Sequence, residues 1–201
     1  MFAAGTEDEE PPMALMLVTP PTVEPVTLAE LKDWLKIDTA DEDVLLTAVI
    51  AAARLAVEAA SGRKLLTQTW RWVLNAWPAS PLELPVWPMQ AVPAIRVYNA
   101  AGVAATVAAT LYQLSNAFLP PRLALLGATP QPGRALGGIE IDMTAGYGGA
   151  AAAVPEALRM AVRLMAAHLY ENRGDGAPGL APMQPPPAVA ALVGPYRRAK
   201  L

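Results

Sequence analysis

The 201-residue sequence contains no cysteine, which excludes disulfide frameworks and thiolate metal sites and leaves the redox compartment unspecified. It has one histidine, His168; a metal site would need further ligands, and the carboxylates do not converge at any readable spacing. The serines, Ser61, Ser80 and Ser115, lie outside any GxSxG pattern and beside no second catalytic partner. Catalytic, cofactor-binding and metal residues are therefore all expected to be none, and the protein is not expected to be an enzyme. Charge is sparse as well: 16% of residues are charged and the formal net charge is -3, which gives no electrostatic case for nucleic-acid binding as the main activity. No apolar run is long enough to span a bilayer, and the acidic N-terminus lacks the basic and apolar regions of a signal peptide. No membrane partner is expected, and the default is a soluble protein used inside a cell.

What the chain has is alanine, which inflates an apolar share of 54%, and a length that fits one domain of ordinary size or one carrying an insert. Met1 to Pro12 carries Glu7, Asp8, Glu9 and Glu10 before a proline pair and cannot bury enough apolar surface to order itself. Residues 1–24 are expected to form a flexible arm, although MALMLVTPP, beginning at the candidate start Met13, also reads as a short strand.

Two helices follow, in residues 25–64. Thr27 and Glu30 have capping-box spacing, and Leu28, Leu31 and Leu35 make a stripe to about Ile37. Thr39 and Glu42 repeat the spacing before a long helix to about Ala60, stopped by Ser61-Gly62. Its apolar face is expected to be Val44, Leu45, Ala48, Ala52, Leu55 and Ala59, with Thr47, Arg54 and Glu58 on the wet side. A third helix, from Pro155 to Arg173 within residues 148–174, carries Leu158, Ala161, Val162, Met165 and Leu169 at three- and four-residue steps. The second and third helices are each other's obvious partners.

Between them, over residues 65–147, the period changes to two. Trp70, Trp72 and Leu74 alternate with Arg71 and Val73, and Ile139, Ile141 and Met143 alternate with Glu140, Asp142 and Thr144. Short strands broken by Pro, Gly, Asn and Ser read as an antiparallel sheet or small sandwich. The fold class is therefore α+β: a small antiparallel helical bundle, a β-rich insertion between its second and third helices, and an extended C-terminal tail. Residues 175–201 hold a Gly/Pro linker and then a short helix or docking segment, with Val189, Leu192 and Val193 apolar and Tyr196, Arg197, Arg198 and Lys200 polar.

Some patterns invite a functional reading. Gly146 to Ala151 matches GxGxxA, but a proline linker follows the next helix where a dinucleotide site needs a parallel strand ending in an acid, so the glycines read as a turn. Trp70 and Trp72 suit a core, whereas Trp34 and Trp87, bordered by polar residues or prolines, suit an interface. A small-ligand-binding or hydrolytic domain using the aromatic sheet face and His168 is the alternative to a purely structural role.

The order of PVTLAELKDWLKIDTADEDVLLTAVIAAARLAVEAASGRKLLTQTW, a strand-rich middle, TAGYG, VPEALRMAVRLMAAHLYENRG and LVGPYRR resembles the head–tail connector, or adaptor, family of long-tailed bacteriophages and gene transfer agents. The resemblance spans roughly Pro25 to Arg198. It implies a structural virion protein, assembled in the bacterial cytoplasm, that forms a dodecameric ring at the head–tail junction. Such a ring sits below the portal protein, lengthens a channel through which DNA passes without sequence-specific binding, and meets a tail-side stopper or head-completion protein. By position, Leu192, Tyr196, Arg197 and Arg198 would face the portal, and Arg54 and Glu58 would be candidates for subunit contacts alongside Trp34 and Trp87.

Overall fold

The computed structural model describes residues 14–172 and 185–198. The acidic segment expected to be disordered and the Gly/Pro linker of residues 175–184 lie outside the described residues. The chain divides into two compact units. One is built from the chain up to Thr19, Thr69–Pro85 and Ala91–Thr144, the other from Pro20–Gln68, Val86–Gln90 and the chain from Ala145 onward.

The second unit is helical. Thr27 caps α1 (Leu28–Leu35) through the expected capping box: its hydroxyl accepts from the Glu30 N–H at 3.1 Å, and the Glu30 carboxylate accepts from the Thr27 N–H at 2.7 Å. That backbone hydrogen bond, aided by Arg159 and Arg163, holds the Glu30 carboxyl below its ordinary range against the opposing effect of burial. The second expected capping box does not form. α2 (Asp43–Ser61) begins after Glu42, whose side chain makes no cap and instead accepts a hydrogen bond from the Tyr170 hydroxyl. The Gly62 stop is as the sequence predicts, with φ 71° and its N–H donating to the Glu58 carbonyl.

α3 (Glu156–Glu171) packs against α2, and its buried face, Leu158, Ala161, Val162 and Met165, is the stripe read from the sequence. The buried face of α2 is not. Leu46, Val49, Ile50, Ala53 and Val57 enter the core, while Val44 is 88% and Leu55 57% exposed, and Ala48, Ala52 and Ala59 are exposed with them. The expected face is therefore corrected to its opposite. A helix apolar on all sides offers two stripes of the same period, and the bulkier one removes more apolar surface from water. With a mean hydropathy of 1.8 over its most apolar window, α2 is also long and apolar enough to cross a membrane by length and composition, contrary to the expectation that no run is. In this fold it is the core helix of its unit. α4 (Pro187–Val193) closes the unit, burying Val189 and Val193 in the same core.

The other unit is built of strands, with a short 3-10 turn at Ala109–Leu111. Its strands are β1 (Ala14–Thr19), β2 (Gln68–Leu74), β3 (Leu82–Glu83), β4 (Met89–Tyr98), β5 (Ala104–Thr106), β6 (Tyr112–Ser115), β7 (Arg122–Leu125) and β8 (Ile139–Ala145), the end residues of β2, β4 and β8 belonging to the helical unit. They form a five-stranded sheet in the order β1-β2-β8-β4-β5 and a three-stranded sheet in the order β3-β7-β6. Of the flexible arm expected over residues 1–24, Ala14–Thr19 is corrected to a strand, the other reading of MALMLVTPP. Ala14–Thr19 pairs antiparallel with β2, Ala14 opposite Val73 and Leu17 opposite Trp70, because a run of β-formers finds backbone partners along that strand.

Alternation in β8 is as read: Ile139, Ile141 and Met143 are fully buried. The opposite face carries a charge ladder across three neighbouring strands. Asp142 of β8 accepts from Arg71 of β2 at 2.7 Å and from Arg96 of β4 at 2.8 Å, with Glu140 at 3.5 and 3.6 Å from the same two guanidinium groups. Burial alone would raise the Asp142 carboxyl; the two arginine hydrogen bonds outweigh it and hold the group below the ordinary carboxylate range. A carboxylate whose folded pKa lies below its unfolded value stabilises the fold fully above the unfolded pKa of about 3.9 and loses that contribution as pH falls through the folded value. Asp142→Asn is thus expected to lose about 2 kcal/mol at neutral pH, with the gap to the parent chain narrowing below about pH 4. Denaturant melts of both chains across that range check it; a gap independent of pH would refute it.

Candidate functional site

The sequence-predicted residues separate into three places on the helical unit. Trp34, at the end of α1, is 45% exposed beside an open groove lined by Glu30, Asp33, Lys36 and Arg163, with the Arg163 guanidinium 5.6 Å from the ring centroid. Trp87 is half-buried: its carbonyl accepts from the Lys64 N–H at 2.8 Å, and a Cβ added at Gly62 would lie 3.4 Å from its ring. Trp87 falls within the segment expected to be β-rich, residues 65–147, and belongs instead to the helical unit, as the excursion Val86–Gln90 does.

Arg54 and Glu58, read as wet-side residues, are 8% and 3% exposed. Arg54 donates to Glu24 at 2.8 Å. The Glu58 carboxylate accepts from the Leu65 N–H and from the Gln68 side chain, each at 3.0 Å, and lies 3.6 Å from Arg54 and 3.8 Å from Lys64. The wet-side reading is corrected on this geometry: the pair ties the end of α2 to the turn that follows it, within one subunit. Their spacing of four residues announces an ion pair but does not say whether water or protein surrounds it.

The C-terminal segment lies on its own subunit. Leu192 and Tyr196 pack, half-buried, against the helical core. The Arg63 side chain donates to the Tyr196 carbonyl at 2.9 Å, and the Arg197 side chain donates to the Ala60 carbonyl at 2.9 Å. Arg197 and Arg198 remain exposed. Close to Arg63 and Tyr196, burial pushes the Tyr147 phenol above its ordinary pKa, with Arg63 opposing.

The glycine run is a crossing of backbones. Gly146 has φ 130°; its N–H donates to the Pro88 carbonyl at 2.8 Å, the Tyr147 N–H to the Leu65 carbonyl at 3.1 Å, and the Thr67 N–H to the Gly148 carbonyl at 2.9 Å. The first two amides of the run, those of Gly146 and Tyr147, are thus spent on the chain itself. His168 has the Asn172 amide nitrogen 3.0 Å from its Nδ1, and its Nε2 is buried without a hydrogen-bond partner. Among the described residues the group placed at the imidazole is an amide, neither a carboxylate that would orient it nor a nucleophile it would activate. Among the described residues no group of three His, Cys, Asp or Glu is placed to hold a metal ion.

What these residues form is a set of surfaces on the helical unit. Residues 25–122 match the family described as Phage gp6-like head-tail connector protein. No curated protein sequence matches the chain. A chain in the virion of a native gene transfer agent (GTA) particle is 34% identical, with a TM-score of 0.78 over 93% of this chain and 96% of that one. A chain in the neck of an empty GTA particle computed with C6 symmetry is 35% identical, with a TM-score of 0.77 over 94% and 97%. A chain in the neck of a native GTA particle computed with C12 symmetry is likewise 35% identical, with a TM-score of 0.75 over 94% and 97%. Identity of 34–35% sustained from end to end, joined to the family match over α1, α2 and the strands that follow, places this chain in the gp6-like head–tail connector family of phages and phage-like particles.

Proposed function

We propose that this protein is the structural adaptor at the head–tail junction of a phage or phage-like gene transfer particle. Copies form a ring below the portal, the ring extends the DNA channel, and its far side receives the tail-side stopper or head-completion protein. The likeness, over 94% of its length, to a neck chain computed with C12 symmetry is the observation that supports this reading, and it suggests a dodecamer. DNA passes without sequence-specific contact, in keeping with a net charge of -3. No cofactor and no chemical step enter this role, and assembly takes place in the bacterial cytoplasm.

Within that ring Leu192, Tyr196, Arg197 and Arg198 meet the portal. The free subunit holds Leu192 and Tyr196 on its own core, so docking exchanges an internal contact for an external one, led by the exposed Arg197 and Arg198. Trp34, exposed and flanked by Arg163, is a subunit contact, and Trp87 supports it less directly from a half-buried position.

Removing Pro195–Leu201 tests this reading. Val189 and Val193 stay in the core, so the shortened chain is expected to keep its circular dichroism spectrum and yet fail to co-purify with portal-bearing heads. Normal incorporation of the shortened chain into particles would overturn the assignment.

A further inference from the structure

Among the described residues, β1 in one unit and the outer side of α2 in the other each expose a run of apolar side chains. β1 is exposed at all six positions, and Leu15, Met16, Leu17 and Val18 present apolar side chains on both of its faces, Met16 at 55% exposure. It ends its sheet and carries no charge or proline, the devices by which proteins protect a free edge. β5, at the other end, is protected by being three residues long. The second surface is the outer stripe of α2, where Val44 and Leu55 stand at either side of Ala48 and Ala52, with Ala59 beyond. Small side chains there let another backbone come close.

We infer that β1 of one copy seats on the outer stripe of α2 of the next copy around the ring. This inference rests on the ring reading above and names the surfaces that make it. A cyclic assembly needs two different, complementary patches on every subunit, because each lateral contact joins one face to another. These two patches match in chemistry, both being uncharged and apolar, so that each removes the other from water. They also match in length. Six residues of strand span about 20 Å at 3.3 Å per residue, and the helix from residue 44 to residue 59 spans about 22 Å at 1.5 Å per residue.

The absence of cysteine makes the test clean. In particles from cells making the double variant Met16→Cys, Ala52→Cys, mild oxidation is expected to turn the monomer band into a ladder of covalent oligomers, while each single variant stays monomeric. Monomers from complete particles of the double variant would overturn the contact and leave the adaptor reading intact. Dimers from Met16→Cys alone would show a two-fold β1 to β1 contact and also overturn it. If the wild-type chain is missing from the particle neck altogether, both readings fall. Hydroxyl-radical footprinting of the wild-type chain covers the case in which the variants do not assemble: Met16 and Leu55 should both be reactive in the free chain and both shielded in the particle. Shielding of only one, or of neither, refutes the pairing.

Discussion

Gly146→Ala is expected to leave the chain unable to reach its folded state, whereas Gly149→Ala, three residues on, is expected to fold and melt like the parent. A Cβ on Gly146 would sit 2.3 Å from the backbone carbon and oxygen of Leu66 and 2.6 Å from the Thr67 nitrogen, at a φ of 130° that side chains rarely adopt. Neither contact can be relieved by rotating a side chain, because both are with backbone. Moving that backbone would break the hydrogen bonds from Gly146 to Pro88 and from Tyr147 to Leu65, and the one the Gly146 carbonyl accepts from Gln90 at 2.8 Å. Strain and lost hydrogen bonds together amount to about 4 kcal/mol or more, a large part of the roughly 5–15 kcal/mol that holds a domain. At Gly149 an added Cβ meets nothing within 4 Å. Soluble yield and circular dichroism of the two variants check the contrast, and a well-folded Gly146→Ala chain would refute the backbone crossing.

Glu58→Ala is expected to lower stability by about 3 kcal/mol, a drop of about 6–12 °C in melting temperature for a chain of this size. The loss has a specific origin. Arg54 keeps Glu24 as a partner at 2.8 Å, so the cationic side is not stranded. What loses its acceptor is the buried Leu65 N–H, while the buried Gln68 side-chain amide loses its shorter hydrogen bond and keeps the Leu66 carbonyl at 3.3 Å. Glu58→Gln retains an oxygen for those donors and is expected to recover about half of the loss, since only the attraction to Arg54 and Lys64 goes. Thermal melts of the three chains decide it. Equal stability of Glu58→Ala and the parent would mean that the carboxylate holds nothing together.

These residues also mark where the sequence is legible. Thr27 and Glu30 announce their helix because a capping box is local, complete within four residues and independent of what packs later. The α3 stripe is legible because Glu156, Arg159 and Arg163 occupy its other side and leave one apolar choice. α2 carries no such mark. Val44 and Leu55 look as fit for a core as Val49 and Val57, and the charges in its middle, Arg54 and Glu58, find partners outside the helix, in Glu24 and in Leu65 and Gln68, and so can go inside. The exposed β1 was hidden for a related reason, since an apolar strand is normally read as half-buried and nothing local reveals that its cover is missing. Asp142 shows the reverse. Its alternation was plain, but only the sheet order, which sets Arg71 and Arg96 on either flank, explains why a carboxylate on that face is buried.

The chain passes from one compact unit to the other after Thr19, Gln68, Pro85, Gln90 and Thr144. Beads on a thread share a single tether; these two are sewn together by five separate passes of covalent backbone. No one cut frees either of them, so neither can be shed, traded or grown as a detachable module. Such threading suits a part that must stay whole where a head is fastened to its tail.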